Sequence, residues 1–350
     1  MVTMPADPPP SALRLDIDRE ALAGNWRALD RLSGKASAGA AVKADGYGLG
    51  AKDVVAVLRE AGCRDFFVAH WSELTGLAAL ADPAMLSVLH GPMTTADAAY
   101  AKALGVKPVI NSVDQARRWL EAGGGPCDLM VDTGINRLGL PLGHIGDEAI
   151  ARLDIDVLMS HLASADEDVA LNEIQLRRWQ GVSSSIRHRR TSLANSAGIA
   201  LGAAFHGNLT RPGLSLYGGI PREELRPHIH PVVRPMAAII QVRDIAAGDS
   251  VGYNATFTAC RPMRVGTIAL GYADGYLRCW SGKGTFLSQG RSLPTLGRVS
   301  MDMTVIDLTA VDDVREGDWV EAGYDLTSSA AATGLSQYEL LTLLGKRFGR

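Results

Sequence analysis

Between residues 40 and 218, short apolar and β-favouring runs recur eight times. They are AAVKA at 40–44, DFFVAH at 65–70, MLSVLHG at 85–91, VKPVIN at 106–111, DLMVDTG at 128–134, IDVLMSHLA at 155–163, TSLANSAG at 191–198 and LTRPGLSLYG at 209–218. Several of the intervening stretches carry helical spacing, such as GAKDVVAVLREAG and SVDQARRWLEAG. In the second, Asp114 falls in the first turn and Gly123 ends the helix. Strand and helix alternating eight times predict an α/β barrel of parallel strands. An open doubly wound sheet stays as the competing arrangement, because a sequence does not show closure. The earlier run LRLDIDREALAGNWRALDRL predicts an opening strand and then a helix.

Beyond about residue 230 the texture changes. IIQVRDIAAGDSVGYNATFTACRPMRVGTIALGY alternates short strands with Gly and Asp turns, and LGRVSMDMTVIDL and REGDWVEAG continue the pattern. SQYELLTLLGKRFGR predicts a final helix. The expected organisation is a Pro-rich leader over 1–10, a (β/α)8 barrel over 11–230 and a mostly β domain over 231–350. A chain of 350 residues is long enough for two such cores. The net charge of -3 gives no electrostatic case for nucleic acid or an anionic membrane. Four scattered cysteines without a CxxC pair fit reduced thiols in the cytoplasm. MVTMPADPPP lacks the apolar core of a signal peptide, and no apolar run reaches the roughly 18 residues of a membrane span.

Barrel enzymes place their chemistry at the C-terminal ends of the strands. Polar residues gather at those ends here: Lys43 after the first run, Arg137 in VDTGINR, His161 after the sixth, Asn195 and Ser196 after the seventh, Arg211 and Gly213 in the eighth. A lysine after a strand is ordinarily a solvated side chain. A Schiff-base lysine instead needs a depressed pKa and a rigid mount. Here AAVKA is apolar before the lysine, and DGYGLG lets backbone approach a ligand closely. Phosphate commonly binds after strands seven and eight of a barrel, where ANSAG and TRPGLSLYG supply Ser196, Gly198 and Gly213. Together with Lys43 they suggest a phosphorylated aldehyde, pyridoxal phosphate. No Walker pattern occurs, and no His, Cys, Asp or Glu cluster has metal-ligand spacing, so no metal is expected. His70 and His90 also end strands, where packing is the expected role.

VKADGYGLG, VDTGINRLG, SHLASAD, NSAG, RPGLSLYG, VGYNATF, LGYADGY, GRVSMD and QYELL together resemble the pyridoxal-phosphate-dependent alanine racemase family, in its order and nearly end to end. The resemblance implies a barrel holding the cofactor, a C-terminal β domain, and a homodimer whose active sites are shared between chains. It implies that Lys43 binds the cofactor covalently and that Tyr47, Ser196, Gly213 and Tyr338 contact its phosphate. Arg211 would face the pyridine nitrogen and His161 would support the site. Arg137 and Met301 would place the substrate carboxylate, and Tyr272 would line the entrance. Tyr253 would reach the partner's site as a second base opposite Lys43. The activity implied is interconversion of L- and D-alanine, supplying D-alanine for peptidoglycan.

Two opposed bases suit a reaction that removes a proton from one face and returns it to the other. A tyrosine titrates near 10 when unperturbed, so a base role calls for a nearby cation such as Arg137. Arginine at 211 stays protonated and cannot readily give its proton to a pyridine nitrogen, which disfavours transamination. Related decarboxylases of this fold carry a carboxylate there. Two departures concern orientation. Met130 stands where many members have a lysine that orients the active-site arginine, and Ser192 stands where a histidine often braces the pyridine-facing one. A broader amino-acid racemase and a non-catalytic cofactor-binding protein are the alternative readings.

Overall fold

The computed structural model describes residues 9–345 and 347–349; residues 1–8 of the expected leader lie outside these. The described residues divide into two compact units, one of residues 19–232 and one combining 9–18 with those described from 233 on.

The first unit is the predicted barrel. Its eight parallel strands are Ser37–Ala41 (interrupted at Gly39), Phe66–Val68, Leu86–Val88, Lys107–Ile110, Pro126–Asp132, Asp154–Met159, Arg190–Ser192 and Leu209–Thr210. Each of the eight apolar runs supplies one. Neighbours pair in chain order from the first to the seventh. The eighth pairs in parallel with the first, through Leu209 opposite Ser37. The Asn208 N–H donates to the Thr191 carbonyl at 2.9 Å and the Arg211 N–H to the Ala194 carbonyl at 2.8 Å, which joins the eighth strand to the seventh. The ring is closed, so the open-sheet alternative fails. Phe67, Val109, Met130, Val157, Met159 and Leu209 form a buried cluster inside it. The helices wrap it with apolar stripes at helical spacing: Ala51, Val54, Val55 and Leu58 bury one face of Ala51–Ala61. Ser112 caps Val113–Glu121, with Asp114 in its first turn as expected.

Ionic groups fill the N-terminal ends of the strands. Arg190 of the seventh strand donates to both carboxylate oxygens of Asp65 (3.0 and 2.8 Å) and of Asp156 (3.2 and 2.8 Å). Lys107 Nζ lies 2.7 Å from Asp156 and 3.9 Å from Asp65. Asp128, fully buried, accepts the Ser87 hydroxyl at 2.6 Å and the Val157 N–H at 3.1 Å. Six of the eight strands are thereby cross-linked by side chains that satisfy one another.

The second unit is antiparallel. The long strand Val233–Ile245 pairs along one part with Trp319–Ala322 and along the other with Met263–Ile268, with a bulge between Ile239 and Gln241. Bulges bend a strand, and this bend lets the remaining strands, Thr304–Asp307, Arg291–Leu296 and Thr285–Ser288, complete the circuit back to Trp319–Ala322. Leu13–Ile17, expected to open the barrel domain, instead pairs antiparallel with residues 233–237 of this sheet. Its alternating pattern fits any half-buried sheet, so partner choice was not written in the strand itself. The expected final helix is short, Gln337–Thr342. After it, Gly349 bonds back to Leu13 and Leu15 of the opening strand. No described helix is long and apolar enough to cross a membrane. All four cysteines are free; burial pushes the Cys63 thiol up to about 12, where it is inert.

Candidate active site

The first barrel strand ends at Ala41, and the chain then makes a left-handed turn. Ala44, Asp45, Gly46 and Tyr47 all have φ between 53° and 65°. Three of these four are not glycine, and such residues cost of order 1–3 kcal/mol each in this region. The turn is closed by Gly46 N–H to the Val42 carbonyl and Gly48 N–H to the Ala44 carbonyl, both 2.9 Å. Lys43 stands at its start. The expected strand to residue 44 is therefore shorter, and the rigid mount is this turn.

Other basic groups gather near Lys43: Arg137, from the loop after the fifth strand, and His161, after the sixth, both feel its charge, and Arg211, after the eighth, acts on His161. Burial pushes the Lys43 amine below its usual value, the Arg137 cation pushes it further, and the Glu73 carboxylate opposes both. His161 is pushed down to about 3, by burial first and then by Arg211, Arg137 and Lys43, so it is neutral at physiological pH. Arg211 is buried; its guanidinium donates to the Ser192 hydroxyl and, at 2.6 Å, to the Ser160 carbonyl. Burial lowers it to about 10 against the charge of Asp128, which leaves it protonated at neutral pH. Ser192 thus takes up the bracing contact. Arg137 is exposed, and Met130 turns into the barrel core. Such a cluster of cations is built to receive an anion.

A cradle lies beside it. The N–H groups of Gly213 and Ser215 converge on the Ser196 hydroxyl oxygen at 2.9 and 3.2 Å. A Cβ on Gly213 would lie 2.3 Å from the Tyr47 hydroxyl, so only glycine allows that approach. The Tyr47 ring stacks on Tyr217, which is anchored by its hydroxyl to the Ala41 carbonyl at 2.9 Å. Ser215 Oγ is buried without a partner. Converging N–H groups, two serine hydroxyls and a tyrosine hydroxyl fit a multiply charged oxyanion such as a phosphate.

The structure thus brings Lys43, Tyr47, Arg137, His161, Ser196, Arg211 and Gly213 together in one unit. Tyr253, Tyr272, Met301 and Tyr338 belong to the other. There, Tyr253 follows Gly252 on a turn in which Asn254 and Ala255 also have positive φ. Tyr272 and Met301 sit on touching loops: the Tyr272 N–H donates to the Ser300 carbonyl at 3.0 Å and the Ala273 N–H to the Met301 carbonyl at 2.9 Å. Arg347 ties the same loops by bonding Asp274 and Asp302. Tyr253, at 68% exposure, and Met301, at 53%, present large apolar surface on that unit.

Three residues escaped the sequence reading. Glu73 accepts backbone N–H groups from the Lys43 turn and the second strand. Ser215 adds a hydroxyl to the cradle. Gln175, fully buried, donates to Thr133 Oγ1 and the His161 carbonyl and accepts from the Ala163 N–H, fixing the loops after strands five and six. Only Ser215 carried a signal, its place within RPGLSLYG.

Known proteins of one family match the chain in both of its parts. Residues 17–221 match the alanine racemase N-terminal domain and residues 232–350 the alanine racemase C-terminal domain. An alanine racemase of Acidiphilium cryptum is 40% identical, covering 96% of this chain and 97% of the relative. A biosynthetic alanine racemase of Agrobacterium fabrum is 39% identical, covering 97% and 93%. The crystal structure of alanine racemase from Bartonella henselae with covalently bound pyridoxal phosphate superposes with a TM-score of 0.89 at 34% identity, covering 98% of this chain and 99% of the other. With both domains matched and the relatives aligned nearly end to end, the chain belongs to the alanine racemase family.

Proposed function

We propose that this chain racemises alanine with Lys43 and Tyr253 as opposed bases, in a cytoplasmic homodimer where each Tyr253 serves the partner's barrel, and that it supplies D-alanine for peptidoglycan. The cofactor is pyridoxal phosphate, and the residues present fit it. Tyr47, Ser196, Gly213, Ser215 and Tyr338 would hold its phosphate, Lys43 its aldehyde carbon, and Arg211 its ring nitrogen. When bound, this group supplies an electron sink that makes the Cα proton of an attached amino acid removable.

The remaining work falls to side chains. The lowered pKa of Lys43 raises the fraction of neutral amine, which accepts a proton at Nζ. Arg211 holds its proton, so it donates a hydrogen bond without surrendering charge. Neutral His161 adds no further charge beside these cations. Arg137 would pair with the substrate carboxylate, Met301 would help place it, and Tyr272 would narrow the approach. The carrying observation is that Lys43 and Tyr47 leave one rigid turn, with the Tyr47 hydroxyl laid against Gly213 of the cradle. The four free thiols support the cytoplasmic placement.

Two bases predict two separable exchanges. In deuterated water the native protein should wash the Cα proton out of both enantiomers. Tyr253→Phe should retain washout from one enantiomer while interconversion falls roughly 10²–10⁴-fold. Washout lost equally from both enantiomers, or unchanged in both, would contradict the two-base assignment.

A further inference from the structure

The turn that carries Lys43 is clamped by a carboxylate outside the proton-transfer scheme. Glu73 lies in the short helix Trp71–Leu74 that follows the second barrel strand. Its Oε1 accepts the Ala44 N–H at 2.6 Å. Its Oε2 accepts the N–H groups of Ala69 at 2.6 Å and His70 at 3.0 Å. One side chain therefore ties the residue after Lys43 to the end of the neighbouring strand. An ionised carboxylate has acceptor sites for all three donors. A glutamine has one acceptor oxygen and would turn an NH2 toward an N–H. The far end of the turn is held separately, by Asp45 Oδ1 accepting the Ala51 N–H at 2.8 Å. The left-handed conformation of Ala44, Asp45 and Tyr47 gives the clamp something to oppose.

The same carboxylate sits in a field of bases. Arg137, His161 and His90 all bear on Lys43 from the loops after strands five, six and three, and Glu73 bears on both Lys43 and His90. The His90 ring meets that of His70 edge to face, with centroids 4.2 Å apart. Arg137 and burial both disfavour a charged amine at Lys43, and Glu73 works against them.

We propose that Glu73 is a positioning residue for the reaction, fixing the Lys43 turn through the Ala44 N–H and setting a negative charge beside the Lys43 amine. This rests on the assignment of Lys43 as the cofactor lysine.

The test uses the full chain, cofactor removed, with Glu73→Gln and Glu73→Asp. Acetic anhydride labelling of Lys43 is followed across pH by peptide mass, and amide exchange is followed at Ala44, Ala69 and His70. Glu73→Gln should move the Lys43 labelling midpoint down by roughly one pH unit. Glu73→Asp keeps the charge on a shorter arm, so its midpoint should stay nearer the native value. Both should speed Ala44 exchange roughly tenfold or more. A glutamate that merely packs would leave the midpoint of Glu73→Gln unmoved, and that result overturns the proposal. Unchanged Ala44 exchange in both variants overturns it as well. Should Glu73→Gln not fold, slow Ala44 exchange in the native chain that is lost in Glu73→Asp supports it, and fast exchange in the native chain overturns it. Failure of the cofactor assignment is seen separately, as native Lys43 left unlabelled by pyridoxal phosphate and borohydride.

Discussion

At the residue scale, the cradle is defined by a side chain that is missing. A Cβ at Gly213 would have to displace the Tyr47 hydroxyl, which stands 2.3 Å from that point. Overpacking of this kind costs roughly 1–3 kcal/mol. Gly213→Ala should therefore raise the dissociation constant for pyridoxal phosphate about tenfold, measured by titrating the cofactor-free chain; an unchanged constant would show that Tyr47 does not shape the cradle. Much of this site was legible before the fold was known. Lys43, Tyr47, Ser196, Arg211 and Gly213 all lie in apolar runs or the turns that follow them, where a barrel puts its chemistry. Glu73 and Gln175 were not legible, because their roles consist of hydrogen bonds that exist only once distant strands are neighbours. In HWSEL, Glu73 reads as an ordinary surface carboxylate.

At the scale of elements, the strand ends opposite the site carry their own constraint. Lys107 has only 7% of its side chain exposed and serves Asp156 and Asp65. Its charge also opposes the upward push that burial gives the Asp128 carboxyl. Removing one partner from a buried ionic group strands the other charges. Lys107→Met should lower stability by about 3–5 kcal/mol, read as a fall in the urea midpoint at constant slope. A native midpoint would mean that the network is dispensable. VKPVIN announced a strand, yet nothing in it announced that its lysine points inward. The same limit applies to the first strand. AAVKA looks extended through residue 44, but the chain turns left-handed at Ala44, and alanine is no signal for that conformation. Leu13–Ile17 likewise announced a strand and left its partner open. Local pattern fixes an element's type, while its neighbours come from packing.

At the scale of the whole molecule, the proposal needs a second copy. Tyr253 and Met301 expose large apolar surface, and the Met301 loop is held in place by the Arg347 bridges and backbone bonds to the Tyr272 loop. A shared site predicts complementation. Lys43→Ala and Tyr253→Ala subunits, each inactive alone, should recover activity when mixed and allowed to exchange, because every heterodimer keeps one intact site and one doubly substituted site. Absence of recovery despite demonstrated exchange would place both bases in one chain. Beneath all of this lies the assignment of Lys43. The most direct measurement is borohydride reduction of the purified protein with pyridoxal phosphate, peptide mapping of the adduct, and L- to D-alanine turnover in the same preparation. The account predicts one adduct, on Lys43, in protein that turns over alanine and loses both properties in Lys43→Ala. An adduct elsewhere, or turnover that survives Lys43→Ala, would contradict it.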